Sequence, residues 1–173
     1  MKYFTPELFA RFQSADDSVA DRADAEWEKA TQDYQKHWTK IKKLFPESVR
    51  RFEQADVRVH DADVLSVARQ GSDLILIVQE EPPASNLIIL TFVLAGEPAI
   101  DGDPRGTYWL YEEFDVGRDK RMSFEVLLSG DVRIRIPFRA FRFSIAKPVL
   151  PAQRLSTPTK NGLAKRRATP AKK

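Results

Sequence analysis

Apolar residues recur along this chain with two different periods. Between Val19 and Phe45 they fall at Val19, Ala23, Trp27, Ala30, Tyr34, Trp38, Ile41 and Phe45, in steps of three and four. That spacing keeps one seam on one side of an α-helix close to 30 residues long, about 45 Å at 1.5 Å per residue. From Val57 onward the helical period is lost and strand patterns take over. The run Leu87-Ile88-Ile89-Leu90-Thr91-Phe92-Val93-Leu94-Ala95 has no polar alternation. Its length suits a strand covered on both faces, placed in the middle of a sheet.

Punctuation divides the rest. Thr5-Pro6-Glu7 is a helix start, because Thr accepts from an early N–H and Pro at the first helical position gives up a donor that has no partner there. A short helix over about Pro6 to Gln13 is followed by Ser14 as the cap of the long helix, which Pro46 stops, and a third helix runs from about Pro46 to Ala55. Strands are expected at Val57–Ala68, Leu74–Gln79, Leu87–Ala95, Thr107–Val116, Arg121–Leu128 and Val132–Ile145. Gln70-Gly71-Ser72-Asp73 is a turn, and Gly96 to Gly106 a long loop. The fold class is therefore α+β, with N-terminal helices, one of them long and amphipathic, packed on a roughly six-stranded antiparallel meander. The alternative use of the helical seam is dimerisation, so the chain is expected as a monomer or a dimer through the long helix.

The last hairpin can be registered by parity. Met122, Phe124, Val126 and Leu128 share a face, as do Val132, Ile134 and Ile136, and a three-residue loop at Ser129-Gly130-Asp131 keeps the two sets together. Leu128 then opposes Val132, Val126 opposes Ile134 and Phe124 opposes Ile136, with Glu125 against Arg135 on the other face. Beyond Pro137 the apolar parity flips to Phe141, Phe143 and Ile145, which requires a bulge near Pro137–Ala140.

Charge is unevenly placed. From Gln153 to Lys173 there are seven basic residues and no acid; removing those seven from the 28 in the chain leaves 21 against 25 acids, a net charge of −4 over residues 1–152. The organisation expected is one α+β domain over residues 1–150 and a disordered basic tail over 151–173, the tail being able to add weak nonspecific contact with nucleic acid. Cysteine is absent, which removes disulfides, thiolate metal sites and cysteine nucleophiles. No apolar run is long enough to span a membrane and the start lacks a signal-peptide core, so no membrane is expected and the location expected is cytoplasmic.

Four groups carry candidate chemistry. His60, Asp61 and Asp63 form the one cluster suited to metal ligation, although on a strand Asp61 and Asp63 share a face and His60 points away. Asp61 and Glu112 are the catalytic candidates, Glu112 because the even positions of Tyr108–Val116 place it among core residues, where a carboxylate must be paired or protonated. On the opposite face, Trp109 and Tyr111 beside Arg133 and Arg135 make a binding patch unless the N-terminal helices cover it. Asp101-Gly102-Asp103 is a turn. Phosphate loops, nucleophile elbows and histidine-rich motifs are missing, and no cofactor is expected.

Met1-Lys2-Tyr3-Phe4-Thr5-Pro6-Glu7-Leu8, His60-Asp61-Ala62, Tyr108-Trp109-Leu110-Tyr111-Glu112-Glu113 and Phe138-Arg139-Ala140-Phe141-Arg142-Phe143 resemble a family of small uncharacterised bacterial proteins, a domain of unknown function, over about residues 1 to 146. The resemblance implies no activity. Immunity proteins of toxin systems are an analogy of size and fold. The expectation is a non-enzymatic module whose partner is another protein; the alternatives are a hydrolase-like or metal-dependent enzyme using Asp61, Asp63 or Glu112, and an immunity-type inhibitor of a toxin.

Overall fold

A computed structural model describes residues 1–55 and 57–147; the expectations for the basic tail lie outside the described residues. Helix α1 spans Pro6–Phe12, capped by the Thr5 hydroxyl, which accepts the Leu8 N–H at 3.2 Å. Helix α2 spans Asp17–Ile41 and continues into a 3-10 turn at Lys42–Leu44. Its cap is Asp16 rather than Ser14: the Asp16 carboxylate accepts the N–H groups of both Ser18 and Val19, and an Asp caps as well as a Ser. Helix α3 is Glu47–Glu53, following Pro46.

Among the described residues seven strands form one antiparallel sheet: β1 Asp63–Gln70, β2 Asp73–Gln79, β3 Leu87–Leu94, β4 Ala99–Asp101, β5 Trp109–Val116, β6 Met122–Leu128 and β7 Arg133–Ala146. The α+β class is thus observed, with the long helix against the sheet. The order β1-β2-β3-β7-β6-β5 departs from a simple meander at one point, since β7 lies between β3 and β6, and the short β4 also pairs with β7. β7 is 14 residues long, enough to pair with β6 and β4 along its first half and β3 along its second. The hairpin register is the one parity requires: Val126 opposes Ile134, Phe124 opposes Ile136 and Glu125 opposes Arg135. The parity flip is a bulge, where Val93 pairs with Ala140 but Leu94 pairs with Phe138, so Phe138 and Phe141 both point into the core.

The two edge strands meet at one end. Asp61 N–H donates to Trp109 O (2.8 Å), Trp109 N–H to Ala62 O (2.9 Å), Val64 N–H to Thr107 O (2.8 Å) and Gly106 N–H to Val64 O (3.3 Å). The sheet therefore closes on itself there, and an inward-facing set including Val64, Leu76, Leu90, Phe92, Trp109, Phe124, Val126 and Ile136 fills the interior. Phe45, Val49 and Phe52, the last two on α3, complete the same core. The expected strand Val57–Ala68 begins only at Asp63, because Asp61 adopts a left-handed backbone (φ 65°) and turns the chain.

A second apolar layer lies outside the sheet, where Phe4, Phe9, Trp27 and Tyr111 pack together, Trp27 and Tyr111 with centroids 4.4 Å apart. Glu113, buried, anchors this layer by accepting the N–H groups of Lys2 (2.8 Å), Tyr3 (2.7 Å) and Phe4 (2.7 Å). Arginine-like reach is not needed; the carboxylate bonds main chain directly, and each such charge-assisted bond is stronger than a neutral one. Glu113→Ala is expected to lower unfolding free energy by about 3–5 kcal/mol, since three amide donors lose a buried acceptor. Urea denaturation checks this; Glu113→Gln, which keeps an acceptor oxygen, should lose less.

Candidate functional site

The closure that joins β1 to β5 also decides where the candidate residues sit. Register slips between Trp109, which opposes Leu128, and Tyr111, which opposes Leu127, so Leu110 and Tyr111 both lie outside while Trp109 and Glu112 point in. The strict alternation expected along Tyr108–Val116 is broken by this bulge. Trp109 is fully buried in the core, not on a surface. Tyr111 is half-buried under α1 and α2, stacked on Phe4 at 5.4 Å. Arg133 and Arg135 are exposed, but paired with Asp101 (3.2 Å) and Glu125 (3.3 Å). The four-residue binding patch is therefore not assembled: its two aromatic members are committed to two different cores.

Glu112 does reach the interior. Its Oε2 accepts the Trp109 indole N–H at 2.7 Å and it pairs across the strands with the core residue Val126, while Glu112 itself is half-buried. Burial raises its pKa, opposed by the Trp109 bond, the His60 ring and its own backbone N–H. Glu53, at the end of α3, had no sequence signal marking it. Burial of its surroundings and the Glu112 charge push Glu53 up to about 7. As a residue Glu53 remains exposed, so solvent screens the effect and its direction is what counts. Tyr34 of α2 joins the group; its hydroxyl accepts the Phe114 N–H at 2.8 Å, burial raises its pKa, and Glu53, Glu112 and Glu113 add to the rise.

His60 and Asp61 come together as a pair in the turn before β1. His60 Nδ1 lies 2.8 Å from Asp61 Oδ2, with both side chains about half exposed, and the His60 ring meets Tyr111 edge-on at 5.1 Å. Asp63 lies exposed on β1, past the turn, so the shared face expected for Asp61 and Asp63 does not form. Among the described residues no three His, Asp or Glu side chains are grouped to hold a metal ion. Asp101 is taken by Arg133 and Asp103 by Arg105, at 2.7 Å, which holds the Asp103 carboxyl down at about 2.

His60 and Asp61 line a groove of about 790 Å³ between the Val57–Asp61 segment and the Glu80–Asn86 loop. Val57, Val59, Pro82, Pro83 and Ala84 supply apolar wall; Arg58, Glu81 and Asn86 supply polar wall. The loop is tied to the segment by Glu80, buried, which accepts the Arg58 N–H (2.7 Å) and the Asn86 side-chain amide (2.6 Å). The N–H groups of Val59 and His60 have no protein acceptor among the described residues. The sequence marks His60, Asp61 and the Pro82-Pro83 break, but nothing in it shows that these two distant segments face one another across a groove.

No helix among the described residues is long and apolar enough to cross a membrane. Compared with protein-family models, curated proteins and solved structures, the chain matches none.

Glu53 with a raised pKa binds its proton more tightly folded than unfolded, so its contribution to stability is present below about pH 4.5 and is lost as pH rises through about 7. Stability measured from pH 4.5 to 7.5 should fall less steeply in Glu53→Gln than in the unaltered protein, and least in Glu53→Gln with Glu112→Gln.

Proposed function

We propose that this protein is a binding module that takes an extended segment of another protein in the groove between Val57–Asp61 and Glu80–Asn86. The observation that carries the reading is the groove's composition together with its unpaired backbone. A volume of about 790 Å³ is within the range of built ligand sites, and the N–H groups of Val59 and His60, in one wall, have no protein acceptor among the described residues. Val57, Val59 and the two prolines give alternate side chains of such a segment something apolar to rest on. The Trp109 and Tyr111 surface plays no part in this reading, and partner binding moves instead to the rim of the closed sheet.

A second reading is supported by one observation of its own. Glu112, whose pKa is raised by burial, a rise opposed by the nearby His60 ring, lies beside the His60–Asp61 pair, and perturbed carboxylates are enriched where acid–base chemistry is done. In that reading Asp61 orients the His60 ring, His60 exchanges protons with a bound molecule, and Glu112 keeps a proton in reserve.

Selection of a random peptide display library on the immobilised full-length chain separates the two. A binding module is expected to enrich extended peptides whose binding is lost in Ala84→Arg and Val57→Arg, both of which fill the groove, while circular dichroism stays unchanged. Failure to enrich peptides, or enrichment that both variants leave intact, contradicts the proposal.

A further inference from the structure

The groove's two walls differ in what they ask of an occupant, and that difference specifies its chemistry. We infer that the segment taken by the groove carries a cationic side chain, lysine or arginine, opposite His60 and Asp61; the inference rests on the groove being the binding site. Three observations point the same way.

The first is the His60–Asp61 pair. His60 Nδ1 and Asp61 Oδ2 are 2.8 Å apart, and both side chains, 51% and 47% exposed, face the groove. An occupant can therefore reach the Asp61 carboxylate and the His60 ring together.

Charge complementarity is the second. Of the groove's acids, Glu80 is buried and already holds two N–H donors, but the Asp61 side chain is 47% exposed and Glu81 is open to solvent. Arg58 is the one arginine or lysine among the described residues of the groove wall. A carboxylate-bearing segment meets repulsion here, and an ammonium or guanidinium group is attracted.

The third is the apolar approach. Val57, Val59, Pro82, Pro83 and Ala84 flank these polar groups, a surface on which the methylene stem of a lysine or arginine rests while its charged head reaches the Asp61 end. The occupant is thus an extended stretch with apolar or small residues on either side of one basic residue.

Two synthetic peptides, acetyl-Thr-Val-Lys-Val-Thr-amide and the same peptide with glutamate in place of lysine, test this by titration into the isotopically labelled full-length protein. Amide resonances of Val59, His60 and Glu81 are expected to shift with the lysine peptide, at an affinity about tenfold or more above that of the glutamate peptide. Asp61→Asn keeps a residue that tolerates the left-handed backbone, and should bring the two affinities within about twofold. Equal affinities with shifts still in the groove would overturn the cationic preference and leave the groove assignment standing. Shifts elsewhere, or none at millimolar peptide, would overturn both.

Discussion

Four backbone hydrogen bonds between Asp61–Val64 and Gly106–Trp109 hold the rest of this structure in place. An open antiparallel sheet of this length would leave β1 and β5 with rows of unpaired donors and acceptors. Joining them at one end turns the sheet into a container, and the inward-facing aromatic residues Phe92, Phe114, Phe124 and Phe138 become one core rather than one face of a plate. The closure has local costs that appear as irregularities: a left-handed Asp61, a bulge at Leu110 and a second slip between Val64 and Ser66. Those irregularities put His60 and Asp61 at a rim, turn Trp109 inward and aim Glu112 at the core.

Beyond the closed end, β5 has a free edge that the chain covers with side chains. Tyr34 accepts the Phe114 N–H and Asp115 accepts the Val116 N–H, while Asp115 also holds His37 of α2 at 2.8 Å. Helix α2 is thereby fixed along the edge, and α1 follows it through the Phe4, Phe9 and Trp27 cluster. The outer face of β5 is consumed by this packing. The Val57–Asp61 segment lies outside this packing and forms one wall of the groove, facing the Glu80–Asn86 loop.

Much of the fold was legible because it depends on period and parity. Leu87–Ala95 read as a central strand, and β3 is paired on both sides, by β2 and β7. The Ser129–Asp131 loop and the flip past Pro137 followed from counting which residues share a face, and both are present. What was not legible depends on contacts between distant segments. Nothing in Arg133–Ala146 announces that it will insert beside β3, because strand order is set by which edges meet in space. The bulge at Leu110 and the turn at Asp61 arise from the closure itself, and a single break in alternation moved Trp109 from an expected surface to the core while leaving Tyr111 outside. Alternation put Leu110 and Glu112 on one face; the bulge separates them, leaving Glu112 bonded to the Trp109 indole and Leu110 outside the core cluster. The groove residues Glu80 to Asn86 carry no periodic signal, since a loop tied by one buried carboxylate has no repeat to detect.

Native-state hydrogen exchange of the Asp61, Val64 and Trp109 amides tests the closure most directly. If these bonds hold the container shut, the three amides exchange only through global unfolding, with protection equal to that of central-strand residues such as Leu90. Exchange at the rate of the exposed loop at Gly117–Lys120, while Leu90 stays protected, would mean that the sheet stands open and that the groove at its rim is not a built site.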